Sequence, residues 1–166
     1  MTADDTQPVF LDTTVISNFA STDSVEFLAT VVESPTVVPA VRVEIEQGYA
    51  QGHTYLECAI NSFDQALPIQ ETTSPTRMEM LRDRVDAGEA ESIVAALEHN
   101  GSVATDDLAA RSIAKEMDIS VTGSIGLLVR GVDKDIISKK TANQWIAIWR
   151  RDRGYYAPVK NINDLV

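Results

Sequence analysis

The 166-residue chain holds one cysteine and two histidines, and its first hundred residues contain no lysine. The lone Cys58 excludes an internal disulfide, and with no second thiol or paired His in the sequence around it, it is read as a core residue. His53 and His99 show neither paired nor HExxH spacing, so the usual zinc-hydrolase pattern is missing and both are read as packing or surface residues. No apolar run approaches the ~18–20 residues of a membrane span. The polar, acidic stretch Met1–Pro8 lacks a basic segment followed by an apolar one, so no signal peptide is expected. Together these absences predict a soluble, cytoplasmic protein with no membrane partner.

Basic residues are also scarce. Fourteen Lys and Arg stand against 25 Asp and Glu, for a net charge of −11, a balance that opposes phosphate binding by bulk charge. The deficit is uneven. Residues 1–100 hold 17 acids and four bases, whereas residues 101–166 hold eight acids and ten bases. Phosphate contacts are therefore expected in the C-terminal third, where Arg130, Lys134, Lys139, Lys140, Arg150, Arg151 and Arg153 could guide a nucleic-acid backbone. Salt adaptation also produces a lysine-poor acidic surface, and the two readings of the charge stand side by side.

What is present describes an ordinary folded domain. Apolar residues make up 44% and charged residues 23% of the chain, near the averages for globular proteins, and the length suits one domain over residues 1–166. Short apolar runs at Val9–Leu11, Thr36–Pro39, Leu67–Ile69, Ser102–Ala104 and Ile119–Val121 predict strands, with Pro68 pushing the third toward a sheet edge. Apolar residues at intervals of three and four predict helices over Ala40–Ala50, Tyr55–Ala66, Glu89–Glu98 and Leu108–Met117. A charged helix over about Thr76–Val85 follows a polar loop and ends before Gly88. The segment from Ser138 to Trp149 is an amphipathic helix with Trp145 and Trp149 on one face. Alternating strands and helices predict an α/β fold with a mostly parallel sheet, whose ligands bind outside the carboxyl ends of the strands.

Acids gather where that rule points. Asp12 follows the first strand. Glu44 lies one turn into the helix after the second. Glu89 and Glu91 open a helix after Gly88, and Asp106 and Asp107 follow the strand at Ser102–Ala104. Acids in a first helical turn also stabilise the helix dipole, which explains any one of them alone. Their joint placement instead points to a divalent cation, because carboxylates that close together need compensation. An all-oxygen set suits Mg²⁺ or Mn²⁺ and phosphodiester hydrolysis. Thr13 could support the site through its hydroxyl or cap the first helix. Thr122-Gly123-Ser124, before an apolar segment, reads as a helix N-terminus able to hold a phosphate or as a plain cap.

Four segments resemble the PIN domain family, in the family's order. Phe10-Leu11-Asp12-Thr13-Thr14-Val15-Ile16 is similar to its opening strand and first metal-site Asp, and Val38-Pro39-Ala40-Val41-Arg42-Val43-Glu44 to its second motif. Gly88-Glu89-Ala90-Glu91-Ser92-Ile93-Val94-Ala95-Ala96 is similar to the third and Thr105-Asp106-Asp107 to the fourth, Thr-x-Asp. Through Ala109-Ala110-Arg111 and Val121 to Leu128 the likeness extends to a prokaryotic branch related to VapC toxins, and it covers most of residues 9–132. The resemblance implies a three-layer α/β/α ribonuclease using Mg²⁺ or Mn²⁺ to cut RNA, often a homodimer and often held by a cognate antitoxin. The implied metal and catalytic set is Asp12, Glu44, Glu91 and Asp107. The distance to the Ile93–Ala96 run favours Glu91 over Glu89, and the Thr-x-Asp spacing favours Asp107 over Asp106. Two rivals remain. A haloacid-dehalogenase phosphatase would carry a second Asp at position 14, which is Thr here. The other is a PIN-like RNA- or protein-binding module without useful catalysis.

Overall fold

The structure, a computed structural model, describes residues 7–166. The stretch on which the absence of a signal peptide was read begins at Met1, and its first six residues lie outside the described part.

Four strands form one parallel sheet: β1 (Val9–Leu11), β2 (Pro35–Thr36), β3 (Ser102–Ala104) and β4 (Val121–Thr122). Their spatial order is β2-β1-β3-β4. The central pair aligns Val9 with Ser102, Phe10 with Val103 and Leu11 with Ala104. Strands this short are held mainly by burial, since Phe10, Leu11, Val103 and Ala104 are almost wholly inaccessible.

Helices cover both faces and complete a three-layer α/β fold. From the N-terminus these are α1 (Thr13–Ser21), α2 (Val25–Val31), α3 (Pro39–Ala50), α4 (Glu57–Ile60) and α5 (Pro75–Leu81). They are followed by α6 (Ala87–His99), α7 (Leu108–Glu116), α8 (Ser124–Asp133) and α9 (Lys139–Arg153). Helix α6 packs on β1 and β3 and against α3, α5 and α7, whereas α1 packs against α2, α3, α4 and α9. Local chemistry sets the ends. Asp86 and Glu89 form a reciprocal capping box at the start of α6, and Asn100 closes that helix in the left-handed region at φ 53°. Ser138 caps α9, and Gly154 at φ 61° ends it behind Arg150, Arg151 and Arg153.

Several expected elements differ. The Tyr55–Ala66 segment is a 3₁₀ turn at Thr54–Leu56, one helical turn, and then irregular chain with Asp64 at φ 61°. Leu67–Ile69 forms only isolated bridges. Pro68 has no N–H to give, but its carbonyl accepts from Val37 N at 2.9 Å. The last strand starts at Val121 because Asp118, at φ 58°, turns the chain first and leaves Ile119 and Ser120 to approach the sheet. The charged helix stops at Leu81. Among the described residues no helix is long and apolar enough to cross a membrane.

The C-terminal helix is seated by an aromatic cluster. Trp149 is fully buried, edge-on to Phe19 at 5.0 Å and to Tyr155 at 5.6 Å, while Trp145 meets Phe27 at 5.3 Å. Cys58 is half-buried, directs its thiol to the Tyr55 carbonyl at 3.3 Å, and has its pKa raised by burial. Removing the indole should therefore unseat α9. Trp149→Ala is expected to cost about 3–5 kcal/mol, read as a lower urea midpoint with an unchanged slope.

Candidate active site

The strand order reverses between β1 and β3: the chain leaves β1 to one side for β2 and returns on the other for β3. That reversal opens a crevice beyond the carboxyl ends of the two central strands. Asp12 and Thr105-Asp106-Asp107 stand at its two walls.

Asp12 continues the ladder by one residue, its amide donating to Ala104 O at 2.9 Å. Its carboxylate is 1% exposed and accepts from the buried Thr105 hydroxyl at 2.7 Å and from Thr14 at 3.4 Å. Thr105 Oγ1 also accepts from Asp107 N at 3.1 Å, so one hydroxyl ties both walls together. Burial, opposed by the hydrogen bonds from the Thr105 hydroxyl and the Thr13 amide, raises the Asp12 pKa to about 7, and the charges of Asp86 and Glu44 add to the rise.

Glu44 reaches the crevice from α3. Its two oxygens accept from Thr13 Oγ1 at 2.9 Å and from Gly88 N at 2.7 Å. Only glycine allows this approach: a Cβ on Gly88 would lie 2.2 Å from Glu44 Oε1. Thr13 thus orients a site carboxylate. Burial, then Asp86, raises the Glu44 pKa.

Helix α6 brings Glu89, not Glu91, toward these groups. Glu89 is 8% exposed and accepts from Asp86 N at 3.1 Å. Its pKa is pushed up to about 8 by burial first, then by Asp12, Asp86 and, more weakly, Asp107. Glu91 points elsewhere: it accepts from Ala40 N at 2.8 Å and Thr72 Oγ1 at 3.1 Å, capping α3 and pinning the polar loop. Two residues on a helix are separated by about 200° of rotation, so the two acids serve different neighbours. Glu89, rather than the preferred Glu91, is therefore the acid that α6 sets beside the other carboxylates. Asp86, which sequence reasoning passed over, belongs to the cluster; the Asp-x-x-Glu spacing of a capping box was its only visible signal.

At the other wall Asp107 caps α7, accepting from Ala110 N at 2.8 Å. Asp106 turns instead to α8, accepting from Ser124 N at 2.8 Å, from the Ser124 hydroxyl and from Asn18 Nδ2 at 3.1 Å. Of the two readings of Thr122-Gly123-Ser124, the structure shows a helix start taken up by Asp106. The Ser124 amide and hydroxyl are buried and already hold a carboxylate of the chain itself.

The expected basic guides are partly spoken for. Arg150 donates to the carbonyls of Val159 and Lys160, Arg151 pairs with Asp152, and Arg153 donates to Asn18 Oδ1 and the Tyr55 hydroxyl. His99 packs against Phe10 beside Glu98, and His53 packs against Tyr55.

Asp12, Glu44, Asp86, Glu89 and Asp107 therefore form one electrostatic group, and no Lys or Arg figures among the influences on Asp12, Glu44 or Glu89. Among the described residues, no three His, Cys, Asp or Glu side chains stand in ready-made metal coordination. The backbone amides of Asp86, Gly88 and Ala110 hold Glu89, Glu44 and Asp107 in cap bonds. The donor set nonetheless fits a hard divalent cation: it is all oxygen, partly dry, and carries repulsion that only positive charge relieves.

The fold thus sets a carboxylate crevice at the switch point of a parallel α/β sheet. The chain matches the DUF3368 family model, described as a PIN domain, over residues 8–165, and it belongs to the PIN domain family. Members of this family are generally nucleases and typically use divalent metal ions. No curated protein matched the chain.

The raised carboxyls have a consequence for stability. Around neutral pH the folded chain holds protons on Asp12 and Glu89 that the unfolded chain has released, since the ordinary values are 3.8 and 4.5. Their contribution to stability is full below those values and is lost as pH rises through about 7 and about 8. In chelator, the melting temperature should fall between pH 5 and pH 8, and more steeply for the wild type than for Asp12→Asn. Equal slopes would contradict the assignment.

Proposed function

We propose that the protein is a divalent-metal-dependent ribonuclease that hydrolyses RNA phosphodiester bonds at the crevice beyond β1 and β3. One observation carries this reading: carboxylates from separate elements share a partly dry cleft at the switch point and repel one another, with no Lys or Arg among the influences on Asp12 or Glu89.

Asp12, Glu44, Glu89 and Asp107 would hold Mg²⁺ or Mn²⁺, with Asp86 adding negative charge. A bound cation would supply an acidified water and neutralise the charge that builds on the phosphate. The residues do the rest. Thr105 and Thr14 orient the Asp12 carboxylate, and Thr13 and the Gly88 amide orient Glu44. Ionised Asp12 and Glu89 would become the favoured forms beside positive charge, so binding of a cation would be accompanied by loss of their protons. Burial of Asp12 keeps bulk water from competing for its oxygens.

Cleavage of a mixed RNA pool with Mn²⁺ tests this. Asp12→Ala and Glu89→Gln should each lower kcat by on the order of 10²-fold or more, as removal of a group used in the transition state does. Glu91→Gln should cost about 1 kcal/mol of stability, the worth of a cap, and leave kcat unchanged. Equal cleavage by wild type and Asp12→Ala would assign the activity to a contaminant and leave a binding module. The toxin role implied by the VapC-like motifs is tested with the same pair: induced wild type should arrest growth, and Asp12→Ala should not.

A further inference from the structure

Next to Asp107 the surface opens into a groove of about 790 Å³. Asp107 and Arg111 line its acidic end, Val121, Ile125 and Pro158 give it apolar walls, and Tyr155 and Tyr156 close the far side. The volume falls in the range of small-ligand sites, roughly 300–1,000 Å³.

Three features make the groove more than a surface dip. The first is its exposed apolar rim. Leu108 is 81% and Tyr156 90% exposed, the two highest values among the large hydrophobic residues of the described chain, and both line this groove. The second is a fixed wall. Tyr155 N bonds Trp149 O at 3.1 Å, its ring packs on Trp149, and the Ile162 amide, further along, bonds Asn143 Oδ1 at 2.8 Å. The tail is thus tied at both ends and still leaves Tyr156 in solvent. The third is a cation beside the acids. Arg111 donates to the Thr105 carbonyl at 3.1 Å, which holds its guanidinium at the lip the groove shares with the acid cluster.

We propose that this groove seats a nucleobase of single-stranded RNA, one nucleotide from the phosphate at the acid cluster, with Tyr156 stacked on the base and Arg111 facing the backbone. The inference rests on the ribonuclease reading and adds a residue that determines where RNA lies. Stacking on an exposed aromatic accepts any base face, so the site selects for an unpaired strand rather than a sequence. Arg111 supplies the positive charge that the bulk composition withholds, placed where a phosphate must pass. A protein partner is a poorer fit, because a stable interface needs about 800 Å² on each side and this opening is nucleotide-sized.

Anisotropy of a fluorescein-labelled octaribonucleotide, without added metal so that no turnover intervenes, reads the site directly. Tyr156→Ala should bind about tenfold more weakly or worse, in line with loss of one base–aromatic stack. Tyr156→Phe should bind like wild type, and an abasic octamer should bind wild type and Tyr156→Ala alike. The residue is exposed, so the melting temperature should not move. With Mn²⁺, Tyr156→Ala should raise KM and spare kcat. Wild-type binding by Tyr156→Ala, or an equal loss with the abasic octamer, overturns the groove. Cleavage with no Tyr156 effect overturns the groove alone, whereas Tyr156-dependent binding with no cleavage by any form overturns the nuclease reading and leaves the groove.

Discussion

The hydrogen bond from the Thr105 hydroxyl to the Asp12 carboxylate joins the two central strands where the sheet opens. It is made in a nearly dry place, where a carboxyl pays heavily for ionisation unless donors or cations surround it. Thr105 is one such donor, and the same hydroxyl accepts from the amide of Asp107. The register of β1 on β3, the height of Asp12 and the start of α7 are therefore coupled through one side chain. Without a compensating cation, that arrangement stores repulsion among Asp12, Glu44, Asp86 and Glu89.

The fold tolerates this repulsion because the acids also serve as caps. Asp86 and Glu89 begin α6, Asp107 begins α7, and Glu44 satisfies an amide of the α6 first turn. Each local bond offsets part of the cost of placing the charge there. Caps and site ligands draw on the same residue types at the same helix ends, which is why the bland and the chemical readings of these acids overlap so closely.

That overlap decided what was legible in the sequence. Asp12 stood out because it follows a short apolar strand, and Glu44 because it lies one turn into the helix after the second strand. The parallel α/β fold followed from alternating elements. Glu89 against Glu91 was not readable from the apolar run behind them. Ala90, Ser92, Ile93, Val94, Ala95 and Ala96 are all buried, so α6 has no single apolar face from which to measure. The spacing singled out Asp107 over Asp106, but the partners of Asp106 were not legible, since Ser124 and Asn18 are distant in sequence. The groove was illegible for the same reason: Arg111 and Tyr156 come to line one groove only after α9 folds back on Phe19.

The central claim is that these acids are a cation site whose protons leave when it loads. Calorimetric titration of Mn²⁺ into the metal-free chain at pH 7, repeated in two buffers of different ionisation enthalpy, measures both binding and proton release. The account predicts binding accompanied by released protons, because Asp12 and Glu89 sit at about 7 and about 8, and loss of that binding in Asp12→Asn. Binding without proton release, or equal binding by Asp12→Asn, would contradict it.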